Sequence, residues 1–421
     1  MPGMSFVKGS FAKVSPGIAG AAAAAYCACV VYSVITSFER PTQSYHANIS
    51  YDLIYWTSLG AVAYLLCFGK HFEWRLDRRL PGLALAACML LSSMFSHNPA
   101  AAWARVRLYF AILLFGIVLW GWFGNAGSSI VPLVLGAAGS VHVAILMLVM
   151  MAVPQANSAD PHNQLWLPYH AHIRHVAYHG MIAACAGMAL GLLGGRLRSL
   201  GFFVAVVSLF GIVYFGARGA LAGWIVFVLI ILVVLPRRVV TLASCAVVLV
   251  VAFSTATVVS RELASSPFTG SVMERSNSLE AVIDSTGRTR IWSDALAAVA
   301  KKPVIGYGPE GYLHSRCCLR DTSQPHNAVV QLLIEVGVLG LAVVCWLLWR
   351  TLGRDALQYW RDRGTMRIDP CRAMLFATMG GMTAFALVDG LYYHVVPLTM
   401  FAIIAALYAS QAPARQIPAP V

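Results

Sequence analysis

Charge is what this chain has least of. Asp, Glu, Lys and Arg make up 11% of its 421 residues, where a soluble globular protein carries roughly 25%. That excludes a water-surrounded globule built on one core. Acids are scarcer than bases, 17 against 30 Lys and Arg. No GxxxxGK[ST] loop and no protein-kinase signature occurs, so the common routes to ATP chemistry are missing. No Asp-x-Asp pair stands in the first external loops, which argues against a glycosyltransferase that grips a diphosphate through a metal. None of the ten cysteines has zinc-site spacing.

What is present is long apolar sequence. The chain is 59% hydrophobic, with a mean hydropathy of +0.71. A membrane span needs about 20 apolar residues. Candidate spans fall at 16–37, 51–69, 80–96, 103–123, 127–152, 173–194, 198–215, 219–235, 238–259, 326–349, 370–387 and 396–412. An all-α polytopic membrane protein of about twelve helices follows. Arg105 and Arg107 weaken the fourth span. The first span is too long for a signal peptide and is soon followed by another, so it reads as retained.

The net charge of +13 is not a nucleic-acid signature here, because the bases are sorted by side. Lys8, Lys13, Lys70, Arg75, Arg78, Arg79, Arg196, Arg198, Arg237 and Arg238 all flank spans on one face. Arg350, Arg354, Arg361, Arg363, Arg367, Arg372 and Arg415 fall on the same face. The positive-inside rule makes that face cytoplasmic, with both termini. The chain then divides into helices 1–9 (1–259), an external loop (260–325), helices 10–12 (326–412) and a tail (413–421).

The loop from 260 to 325 holds seven acids and eight bases. Within it, 290–302 reads as an amphipathic helix with Ile291, Trp292, Ala295, Leu296, Ala298 and Val299 on one face. Pro303 ends it, and Ile305-Gly306-Tyr307-Gly308-Pro309 forms a tight turn. Cys317 and Cys318 lie in this loop. Being adjacent, they would pair with each other only under strain.

Several polar residues ask for a reason. His326, in Pro325-His326-Asn327, stands where the loop meets the tenth span. An imidazole titrates near neutral pH, with an unperturbed pKa of roughly 6.5, so it is a candidate general base. The alternative is a histidine that merely anchors a helix at the interface. Arg218 sits between two spans with almost no loop, where its planar fork suits phosphate oxygens, or where it snorkels to the surface. Arg174 lies on the external side, against the positive-inside rule. Arg288 precedes the loop helix, and it and Arg290 either face a polyanion or pair with Asp284 and Asp294.

His162, His170, His172, His175 and His179 cluster, the last three sharing a helical face. Only Asp160 accompanies them, so they read as a polar cavity lining rather than a metal site. Asp389, Tyr392 and His394 occupy the last external turn, where Asp389 could orient an imidazole or hold a sugar hydroxyl. Glu335 lies too deep to touch His326, and a partner on another helix is expected.

Three segments together resemble the bacterial O-antigen ligases of the O-antigen ligase/polymerase superfamily. Gly216-Ala217-Arg218-Gly219-Ala220 is similar to the family's Ser-Arg-Gly element, with Ala217 where Ser is common. Arg288-Thr-Arg-Ile-Trp292, continuing through Lys302-Pro303-Val-Ile-Gly306-Tyr-Gly308-Pro-Glu-Gly311, resembles its Arg…Trp…Pro-x-x-Gly-x-Gly stretch. Pro325-His326-Asn327, followed by Leu332, Glu335, Gly337 and Gly340, resembles its His-Asn helix.

The resemblance implies a fold of the GT-C glycosyltransferase class with one large periplasmic loop. It implies an inner-membrane enzyme moving polysaccharide from undecaprenyl diphosphate to lipid A-core, inverting, with no metal and no cofactor. His326 would be the base, and Arg218 and Arg288 would hold the diphosphate. Arg174 joins them, and Asn327, Asp389 and Tyr392 support them, from position alone. The O-antigen polymerase and the protein O-oligosaccharyltransferase of the same superfamily are the near alternatives. A transporter is the distant one, and lacks the repeat halves expected of it.

Overall fold

The structure is a computed structural model. It describes residues 76–126, 173–235, 238–262, 288–315, 324–362 and 369–411, with short helical pieces between 134 and 147. The spans expected at 16–37 and 51–69 lie outside the described residues, as do most of 127–152, His162, His170, His172, Asp284, Cys317, Cys318 and the tail.

Every element described is helical. In chain order these are α1 (Leu76–Met94), α2 (Pro99–Ala126), α3 (Ile173–Leu193), α4 (Arg198–Tyr214), α5 (Arg218–Val234), α6 (Arg238–Glu262) and α7 (Arg288–Val299). Then follow α8 (Gly311–His314), α9 (Ala328–Leu348), a π-helical turn Trp349–Gly353 and α10 (Arg354–Arg361). The last are α11 (Pro370–Ala386), a 3₁₀ turn Leu391–Tyr393 and α12 (Val395–Ser410). Among the described residues four helices are long and apolar enough to cross a membrane, at Pro99–Ile117, Val176–Leu193, Arg238–Val259 and Ala328–Arg361. Shorter apolar helices accompany them at Gly82–Met94, Arg198–Tyr214, Arg218–Val234 and Pro397–Ser410. The chain is a helical membrane protein.

Helix α3 is the axis of the core. From Val176 to Leu190 its described side chains are almost wholly buried. It packs on α4, α5 on α11, α2 on α12 and α9 on α1. Small residues set these distances, as in membrane bundles generally. A Cβ on Gly187 would lie 2.6 Å from the Ala205 amide, and one on Gly223 would lie 2.8 Å from the Gly381 carbonyl.

Two expectations for the loop and its helix change. Helix α7 starts at Arg288, and i→i+3 bonds from Lys301 and Lys302 tighten its end before Pro303. Its buried stripe is Ile291, Ala295, Ala298 and Val299, packed on Val330 and Ile334 of α9. Leu296 is 47% exposed and falls outside that stripe.

The tenth span is not one regular helix. Its helical run reaches Arg361, 34 residues in all. At 1.5 Å per residue that is about 51 Å, well beyond a hydrocarbon core of about 30 Å. The run is broken at Gly337, which has φ 67° and ψ −170°. The break strands backbone groups, and the Pro-x-x-Gly-x-Gly segment satisfies them. Val338 and Leu339 donate to the carbonyls of Pro303 (2.8 Å) and Val304 (3.2 Å). Tyr307 and Gly308 donate to those of Ile334 (2.8 Å) and Glu335 (2.9 Å). Ser92 of α1 adds a hydroxyl to the Ile305 carbonyl at 2.6 Å. Residues 303–308 are thus stitched into α9.

Candidate active site

Asn327 shapes the start of α9. Its Oδ1 accepts from the amides of Val329 (2.9 Å) and Val330 (3.1 Å), a side-chain N-cap. Its Nδ2 donates to the Leu387 carbonyl at 2.8 Å. One side chain therefore both starts α9 and ties it to the end of α11. Trp292 donates its indole N–H to the Pro325 carbonyl at 2.8 Å. Between these anchors His326 takes φ 54°, in the left-handed region. A non-glycine residue there costs of order 1–3 kcal/mol, a strain that clusters at functional sites.

The strain aims His326 at Asp389. Its Nδ1 lies 2.9 Å from Asp389 Oδ1, although the two residues are 63 apart in sequence. The same oxygen accepts from the Tyr178 hydroxyl at 3.0 Å and the Gly390 amide at 2.8 Å. The other carboxylate oxygen, Oδ2, faces Arg288 Nη2 at 3.6 Å, and Arg288 Nη1 donates to the Val388 carbonyl at 2.6 Å. Arg288 and Trp292 are one helical turn apart on α7, so one face delivers both.

The His326 side chain keeps 13% of its surface exposed and Arg288 keeps 22%, while Asp389 keeps 6%. A buried carboxylate thus holds two groups that both retain access to solvent. With Nδ1 on a carboxylate, the neutral imidazole carries its proton there and presents Nε2 as an acceptor. A base with its tautomer fixed, beside a guanidinium, can take a proton from a hydroxyl while an anion is held nearby.

The other expected residues fall as follows. Arg218 is the first residue of α5, after a turn in which Gly216 has φ 66°. Its neighbour Gly219 lies against α11, where an added Cβ would sit 2.8 Å from the Phe385 ring and 3.1 Å from Val388. Arg218 thus begins its helix at the end of the bundle that carries Asp389. Arg174 lies in the first turn of α3, at that helix's end nearest Tyr178. Tyr392 is tied elsewhere, its hydroxyl 2.9 Å from that of Thr383, and burial pushes its phenol pKa up. His394 pairs with Gln324 at 3.0 Å and lies tilted against Tyr178 with ring centroids 4.9 Å apart. His179 is buried in α3. Among the described residues no group of three His, Cys, Asp or Glu could hold a metal ion.

Residues 183–345 match the family described as O-antigen ligase. A comparison with curated proteins gave no match. The matched segment includes Arg218, Arg288 and His326, whereas Tyr178 and Asp389 lie outside it. The match covers the middle of the chain, 163 of its 421 residues, and that segment is similar to the O-antigen ligase family.

Sequence reasoning missed a second buried polar group beside this site. It is built from Arg105, Glu310, Gln331, Glu335 and Tyr393. Arg105 had appeared only as a blemish in an apolar span. A buried cation inside a span is itself a signal, because it needs a partner. Glu335 does pair beyond its own helix, accepting from the Glu310 amide at 3.0 Å.

Proposed function

We propose that this protein is an O-antigen ligase. It transfers polysaccharide from undecaprenyl diphosphate to a sugar hydroxyl of lipid A-core at the periplasmic face of the bacterial inner membrane. The observation that carries the reading is one buried carboxylate, Asp389, in contact with both the His326 imidazole and the Arg288 guanidinium.

His326 Nε2 takes the proton of the acceptor hydroxyl. The oxygen attacks the anomeric carbon, its bond to the diphosphate breaks, and the configuration inverts. Asp389 holds Nδ1–H and steadies the imidazolium that forms. Arg288 and Arg218, with Arg174 in support, face the diphosphate. Preorganised cations where charge develops are commonly the largest catalytic contribution, and a positioned base adds roughly 10²–10⁴-fold. The donor is already activated, so the reaction needs neither ATP nor a metal.

The test is purified protein incubated with lipid-linked polysaccharide and rough lipopolysaccharide. Transfer to the lipopolysaccharide supports a ligase. Elongation of the lipid-linked chain alone would mean a polymerase. His326→Ala should abolish transfer while leaving expression intact, and near-wild-type transfer would sink the base assignment.

A further inference from the structure

The buried group around Arg105 shares two segments with the His326–Asp389 pair, α9 and the 389–393 turn. Arg105 on α2 is 3% exposed and Glu310 is 5% exposed. Their Nε and Oε1 atoms lie 3.1 Å apart. Glu310 itself sits at φ 63°, the only other described non-glycine residue with positive φ.

Tyr393 is clamped at three points. Its hydroxyl donates to Glu310 Oε2 at 2.8 Å. Its carbonyl accepts from Arg105 Nη2. Its ring lies under the Arg105 guanidinium, 4.2 Å from centroid to carbon. Tyr393 is four residues after Asp389, in the turn that also places Gly390 N on the Asp389 carboxylate. The far side of the clamp is α9, where Glu335 Oε1 accepts from the Glu310 amide and from Gln331. His326 and Glu335, at the two ends of the first arm of α9, are therefore both referred to the 389–393 turn.

A buried ion pair is a weak way to gain stability, since desolvation offsets much of the attraction. What it supplies is geometry, because each charge tolerates few partners in few positions. We infer that Arg105 and Glu310 are positioning residues, clamping Tyr393 so that the 389–393 turn holds the Asp389 carboxylate against His326. The catalytic half of this inference rests on the function proposed above. The mechanical half does not.

The experiment therefore has two readouts. Removing one charge would strand the other in the core and endanger folding, so the working variant is the double change Arg105→Met with Glu310→Gln, in the full-length protein in lipid nanodiscs. Hydrogen exchange of the 388–394 amides should rise at least about ten-fold, with protection of α3 unchanged. With lipid-linked polysaccharide and rough lipopolysaccharide as substrates, kcat should fall about ten- to hundred-fold, the scale of an ångström-sized misplacement, with KM for the donor within two-fold. In an Asp389→Asn background the double change should cost no further kcat.

Wild-type protection of 388–394 would overturn the clamp whatever the activity shows. A full additional loss in the Asp389→Asn background would overturn action through Asp389. Retained transfer in His326→Ala would instead fault the base assignment and leave the exchange result to decide the clamp.

Discussion

Gly337 is the residue whose replacement should cost most for its size. Its backbone stands at φ 67°, ψ −170°, a conformation essentially reserved for glycine and costing an alanine about 1–3 kcal/mol. An added Cβ would lie 2.2 Å from the Val304 carbonyl oxygen. That oxygen cannot yield cheaply, because it and the Pro303 carbonyl take the amides of Leu339 and Val338. Each buried backbone donor left unpaired costs about 1–3 kcal/mol. Gly337→Ala could instead straighten α9 and recover helical bonds, gaining about 1 kcal/mol of helix propensity. It would then expel residues 303–308 and lose all four cross-links.

Either route costs about 3 kcal/mol or more on these figures. At 1.4 kcal/mol per decade, amide exchange in 303–310 should rise on the order of 10²-fold. The assay is hydrogen exchange by mass spectrometry on protein in nanodiscs, with thermal unfolding alongside. Gly82→Ala is the control, since an added Cβ there meets nothing within 4 Å. Wild-type exchange in 303–310 for Gly337→Ala would refute the account of the break. Transfer activity should fall with it, because Glu335 and the start of α9 move together.

Three further outcomes are expected. Asp389→Asn leaves shape nearly intact but unsettles the imidazole tautomer, so transfer should drop about 10²–10⁴-fold, and less than a three-fold drop in a steady-state assay would exclude it as the orienting group. Asn327→Ala removes a helix cap worth about 1 kcal/mol and the tie to Leu387, so a thermal-shift measurement should register a lower midpoint together with reduced transfer; an unchanged midpoint would contradict the capping role. Chelator should leave transfer intact, whereas a loss restored by one divalent ion would revive a metal at the cluster of His162, His170, His172, His175 and His179.

The residues of the proposed site were legible in unequal measure. Arg218 and His326 announce themselves because each is a polar residue at the boundary of an apolar run, and hydropathy is a local property, whereas Arg288 stands out only as a base just ahead of the loop's amphipathic stretch. Asp389 was legible as a candidate for the same reason. Its partner was not, since nothing in a one-dimensional pattern says that residues 326 and 389 meet. Leu296 shows the converse error, because apolar spacing cannot say how wide a stripe the neighbouring helix will cover.

Length, the paucity of charge and the long apolar runs determined that this chain is a helical membrane protein, and its motifs determined where to look for a base and its cations. Only the tertiary structure decided that α9 breaks at Gly337 and that residues 303–308 fill the break. Only it decided that Arg105 pairs with Glu310 and that one carboxylate serves both His326 and Arg288. The physical reason is that pattern fixes which residues leave water, while partners are fixed by helix rotation, crossing and breakage. Those are set by packing between segments far apart in the chain.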